Sequence, residues 1–114
     1  MSWLMVAGPY RAGGAQGAAL AANLRALNEA ALAIFEKGHT PVIGVNMALP
    51  MIEAAGPERY DDLMMPISLA LVERCDGLLR IGGRSAGADR EVARMRALKR
   101  PVYFDLSEVP EVAR

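Results

Sequence analysis

Cysteine, histidine and lysine are all scarce in this 114-residue chain: Cys75 and His39 stand alone, and Lys37 and Lys99 are the only lysines. A single cysteine excludes an internal disulfide and fits a reducing, cytoplasmic setting. A single histidine with no cysteine cluster offers no metal-ligand spacing, so neither a metal nor a cofactor is expected. An excess of one charge is missing too, because Lys+Arg and Asp+Glu both number 13. That balance argues against non-specific binding to a nucleic-acid polymer or an anionic membrane. No basic region precedes the first apolar run, which stops at Pro9, so no signal peptide is expected. The alanine-rich segment after Gly17 is broken by Asn23, Arg25, Asn28 and Glu29, short of the ~20 apolar residues of a membrane helix.

Hydrophobic residues make up 53% of the chain, much of it alanine, which suits helices packed closely on a sheet. The length fits one domain, residues 1–114, with a single core. Trp3 to Ala7 is a continuous apolar run too short for a helix, and it predicts a buried central strand. Leu20, Leu24, Leu27, Ala31 and Ile34 recur at spacings of three and four, predicting a helix from Ala18 to Lys37. Gly38 supplies its left-handed cap and Pro41 prevents its continuation.

A second strand is expected over Pro41 to Val45. Asn46 to Arg59 holds Pro50, Gly56 and Pro57 and has no clear period. It reads as a long loop or lid with room for a short helix around Ile52. A second long helix follows from Tyr60 to Arg74, bent or started at Pro66. Leu78 to Ile81 predicts a third strand, Ala88 to Lys99 a helix, and Pro101 to Phe104 a fourth strand. A turn of helix is expected after Ser107. Strands alternating with helices imply a Rossmann-like or flavodoxin-like three-layer α/β sandwich. Its parallel sheet would have four to five strands in the order 2-1-3-4.

In such a sheet the ligand lies beyond the carboxyl ends of the strands, where the strand order reverses. That point falls between strands one and three. The loops there are Gly8-Pro9-Tyr10-Arg11-Ala12-Gly13-Gly14 and Gly82-Gly83-Arg84-Ser85-Ala86-Gly87. Glycines let backbone N–H groups approach an anion, and the next helix adds its dipole. Neither the dinucleotide fingerprint nor the P-loop lysine motif is met. Glu91 shares a helical stripe with Ala88, Met95 and Leu98. It is either a carboxylate favoured by the helix dipole and solvated at the sheet edge, or an ionised group held at the ligand crevice.

Val6-Ala7-Gly8-Pro9-Tyr10-Arg11, Gly38-His39, Arg74-Cys75-Asp76-Gly77 and Ser85-Ala86-Gly87-Ala88-Asp89-Arg90-Glu91 together resemble the nucleoside 2-deoxyribosyltransferase superfamily. That group includes deoxynucleoside-monophosphate N-glycosidases and small bacterial relatives. The resemblance spans roughly Leu4 to Tyr103, and its Ser-x-Gly-x-x-x-Glu element is the most specific part. It implies N-glycosidic cleavage or transfer on a small nucleoside or nucleoside 5′-monophosphate, with Glu91 as nucleophile through a glycosyl-enzyme intermediate. It places Tyr10 beside that nucleophile, and Arg11 and Ser85 at the 5′-phosphate among Gly8, Gly13 and Gly87. It also implies a homo-oligomer.

Residue-level alternatives stay open: Ser85 as a helix cap, Arg11 as a solvated charge, Tyr10 as a packed aromatic. One position departs from the pattern. The family's assisting aspartate falls at Ser68, which can hydrogen-bond a ligand but cannot act as a general acid near neutral pH. Asp61 and Asp62, nearly two turns earlier, are not expected to replace it. A non-catalytic nucleotide-binding or sensing module of the same fold is therefore the alternative function.

Overall fold

A computed structural model describes residues 2–113. Four parallel strands, β1 (Trp3–Ala7), β2 (Thr40–Val42), β3 (Gly77–Arg80) and β4 (Val102–Tyr103), form one sheet in the order β2-β1-β3-β4. The α/β layering and strand order match the sequence expectation. Four helices connect or flank the strands: α1 (Ala18–Glu36), α2 (Gly44–Ala55), α3 (Tyr60–Arg74) and α4 (Ala86–Ala97).

Alternation along β1 divides the core. Leu4 and Val6 join Leu27, Ala31 and Ile34 of α1 on one face of the sheet. Met5 and Ala7 join Val72 of α3 and Ala88, Val92 and Met95 of α4 on the other. Because both faces are covered, β1 reads as an unbroken apolar run rather than an alternating one. By length and composition α1 could also cross a membrane, unlike the sequence expectation. Its stripe of Leu27, Ala31 and Ile34 is buried on the sheet, as in the core helix of an α/β fold.

The expected lid is a helix. Residues 46–55 belong to α2, which begins at Gly44, so β2 stops at Val42 instead of running to Val45. Gly44, Ala48 and Ile52 form its buried stripe, one turn apart, and Ala48 and Ile52 pack with Met64 of α3. Pro50 sits inside the helix on its exposed side, where the carbonyl it leaves without an N–H partner can bind water. Asn46 Nδ2 donates to Asn28 Oδ1 at 2.8 Å, tying the start of α2 to α1.

The isolated residues have structural work. Burial pushes the Cys75 thiol up to about 11, leaving it protonated and inert near neutral pH. The Asp76 carboxylate accepts the Trp3 N–H at 2.8 Å, securing the entry to β1. His39 is buried. Its Nδ1 accepts from the Ser2 N–H, so Nε2 carries the proton donated to the Pro110 carbonyl at 2.6 Å.

The C-terminal segment is strapped along the end of α1. Val112 N–H donates to the Lys37 carbonyl at 2.8 Å, and Lys37 Nζ donates to the Val109 carbonyl at 2.9 Å. Gly38 makes this possible at φ 99°, and a Cβ there would collide with the Val112 carbonyl oxygen. Gly38→Ala should therefore destabilise the protein by about 1–3 kcal/mol. Urea unfolding checks this; an unchanged midpoint would mean the strap does not contribute.

Candidate functional site

The two glycine-rich loops meet around a cavity of about 420 Å³ at the carboxyl ends of β1 and β3. The first loop contributes Gly8, Tyr10 and Arg11 to the wall. The second loop and the start of α4 contribute Ser85, Gly87 and Glu91. Ser68 lines it from α3, as do Tyr60 and Asp61. Gly13 does not line it. It occupies a 3₁₀ turn (Ala12–Gly14) at φ 67° with open space around it, so the glycine answers to backbone geometry.

Gly8 is required by packing between the strands. A Cβ there would lie 2.8 Å from Ile81 Cγ1 and 3.0 Å from the Ile81 carbonyl oxygen. Without a side chain, the exits of β1 and β3 can approach each other and bring both loops to one cavity. Gly87 has no such neighbour; the nearest atom to an added Cβ would be Met65 Sδ at 3.8 Å. It leaves that part of the wall open to a ligand.

Ser85 is the N-cap of α4, its hydroxyl accepting the Ala88 N–H at 3.1 Å. The cap reading is correct, and it is compatible with a ligand contact because the hydroxyl retains its proton for donation. Arg11 lies with its guanidinium carbon 3.9 Å from the centroid of the Tyr60 ring. Among the described residues no carboxylate pairs with it. It is exposed, stacked on the Tyr60 ring and outside any salt bridge, so its charge is available to an anion.

Glu91 is 8% exposed. It lies on the inner side of α4 with Ala88 and Met95, all buried, which excludes the solvated reading. Among the described residues no hydrogen bond reaches its carboxylate, whose oxygens remain accessible from the cavity rather than sealed in the core. Burial pushes its pKa up to about 7, and the Arg80 charge opposes that rise only in part.

Arg80 is the residue that sequence reasoning missed. It ends β3, is 9% exposed, and bends back over its own loop. Its guanidinium donates to the carbonyls of Ile81 and, at 2.8 Å, Gly83, and reaches the exposed Asp89 at 3.3 Å. These bonds fix the glycine-rich turn ahead of α4 while holding a positive charge near Glu91. The available signal was a lone charge within the apolar run Leu78-Leu79-Arg80-Ile81.

Ser68 is buried and close to α2. Its hydroxyl is 3.9 Å from Met64 Sδ, and a Cβ on Gly44 would collide with it. Asp61 lies seven residues earlier, two turns along the same helix face, and lines the same cavity. Asp61 thus shares the cavity wall with Ser68. Among the described residues no group of three or more His, Cys, Asp or Glu could hold a metal.

The chain matches no protein-family model and no curated protein.

Proposed function

We propose that this chain binds a nucleoside 5′-monophosphate or nucleoside and cleaves, or transfers across, its N-glycosidic bond, with Glu91 as nucleophile. The observation that carries this reading is a largely buried carboxylate opening on a cavity whose wall also holds an arginine without a carboxylate partner. A carboxyl with a raised pKa that opens on a cleft instead of being sealed in the core is a functional-site candidate.

In the proposed reaction, the ionised Glu91 carboxylate attacks the anomeric carbon. The bond from that carbon to the base nitrogen breaks, and the base leaves with the electron pair and takes up a proton. Water or a second base then attacks the glycosyl ester and frees Glu91. Tyr10 borders the reacting sugar. Arg11 and the Ser85 hydroxyl hold the phosphate, with Gly87 leaving space for it. The Ser68 hydroxyl, whose proton points to Met64 Sδ, can accept one hydrogen bond from a sugar hydroxyl. Ser68 supplies no proton, so the leaving base takes its proton from solvent, and Asp61 is a further carboxylate on the cavity wall.

The alternative, a binding module without turnover, draws support from Ser68. Its buried hydroxyl supplies no proton at neutral pH. Chromatography of free base after incubation with nucleosides and their monophosphates separates the two readings.

The phosphate contact has its own test. A charge-assisted hydrogen bond is worth about 1.5–3 kcal/mol, or roughly one to two decades in affinity. Monophosphates should bind that much tighter than the matching nucleosides, and Arg11→Ala should remove the difference. Calorimetry giving equal affinity for both forms would instead favour a transferase acting on free nucleosides.

A further inference from the structure

A second cavity, of about 630 Å³, adjoins the first. Its own walls are Gln16 and Leu20 from the chain after β1, Leu49, Ile52 and Glu53 from α2, and Pro57. The residues common to both cavities are Tyr10, Arg11 and Tyr60. The boundary between them is thus the guanidinium stacked on the Tyr60 ring, with Tyr10 beside it.

We propose that the ligand is a phosphodiester of the nucleoside 5′-monophosphate, spanning both cavities. The glycosyl half lies at Glu91, the phosphate at Arg11, and a flat, largely apolar second group in the neighbouring cavity. This rests on the function proposed above and names its substrate class more closely.

Three features lead there. An anion held at the boundary has room on both sides, whereas a terminal phosphate would fill one side only. The charge fits as well: a phosphomonoester carries about −1.5 to −2 near neutral pH, whereas a diester carries a single charge. Arg11 supplies the one positive charge at the boundary, since Arg90, the other cation on these walls, lines only the first cavity. The second cavity adds no further cation and contains the Glu53 carboxylate, which a dianion would meet unfavourably. Finally, two tyrosine rings and the side chains of Leu20, Leu49, Ile52 and Pro57 make a surface for a planar apolar group. Gln16 and Glu53 can hydrogen-bond that group's polar edge.

The test compares the four 2′-deoxynucleoside 5′-monophosphates with their 5′-phenyl esters by calorimetry. The best ester should bind roughly ten- to a hundredfold tighter than its monophosphate, the gain from burying one aromatic ring. Leu49→Trp, which fills the second cavity from α2, should abolish that gain and leave monophosphate affinity within a few-fold. Gln16→Trp repeats the block from an exposed loop position, should the first variant fold poorly. If the esters bind no tighter than the monophosphates, or keep their advantage in both blocked variants, the diester is wrong and the monophosphate reading stands. If neither class of compound binds, both readings fall.

Discussion

Glu91→Gln is expected to lower base release on the order of three decades or more while leaving ligand affinity within a few-fold. Glutamine keeps the shape of the side chain and removes the attacking oxygen's charge, so the sugar and phosphate contacts survive. The position favours attack. Glu91 projects from the inner face of α4 in its second turn, and its neighbours Ala88 and Met95 are packed. A side chain held this way needs little reorganisation to meet an anomeric carbon in the cavity. Because burial raises its pKa to about 7, turnover should climb with pH through that value as the nucleophile ionises. Steady-state rates for the two proteins across pH 5–9 read both effects. Turnover of the glutamine variant within a few-fold of the parent would remove Glu91 from the mechanism.

The same carboxyl should set a measurable part of the pH dependence of stability. In the unfolded chain Glu91 ionises near its ordinary value of 4.5, whereas in the folded protein it holds its proton until about 7. Between those values the folded state binds more protons, so stability falls as pH rises. The contribution is fully present below about 4.5 and lost above about 7. A gap of that size corresponds to about 3 kcal/mol. Glu91→Gln should flatten this component and make the variant the more stable protein at pH 8. Urea unfolding of both proteins from pH 4 to pH 8 isolates it, since other groups cancel in the difference. Parallel curves would mean that the carboxylate is solvated or paired in solution.

What the sequence revealed depended on whether a feature was carried by near neighbours or by contacts through space. β1 was legible because a strand covered on both faces must be apolar throughout, and α1 because its stripe ran five residues long before the glycine at 38. The order β2-β1-β3-β4 was the simplest arrangement for strands alternating with helices. α2 was not legible. Its buried stripe begins with Gly44 and Ala48, which carry almost no periodic signal, and Pro50 with Gly56 looks like a broken loop. Gly44 owes its identity to Ser68, a residue of another helix.

The site divided in the same way. Glu91 stood out as a charge on an apolar stripe, and Gly8 and Gly87 as glycines at strand exits. Arg80 could be understood only once its loop folded back over it. That Asp61 shares a wall with Ser68 was not legible, because it depends on the cavity running along α3 for two turns.

The most direct measurement is acid quenching of the protein during turnover of a nucleoside 5′-monophosphate, followed by mass spectrometry of the intact chain and its peptides. The account predicts a glycosyl adduct, the sugar phosphate without its base, on the peptide containing Glu91, and none in Glu91→Gln. Base release with an adduct on another residue, or steady base release from the glutamine variant, would contradict it.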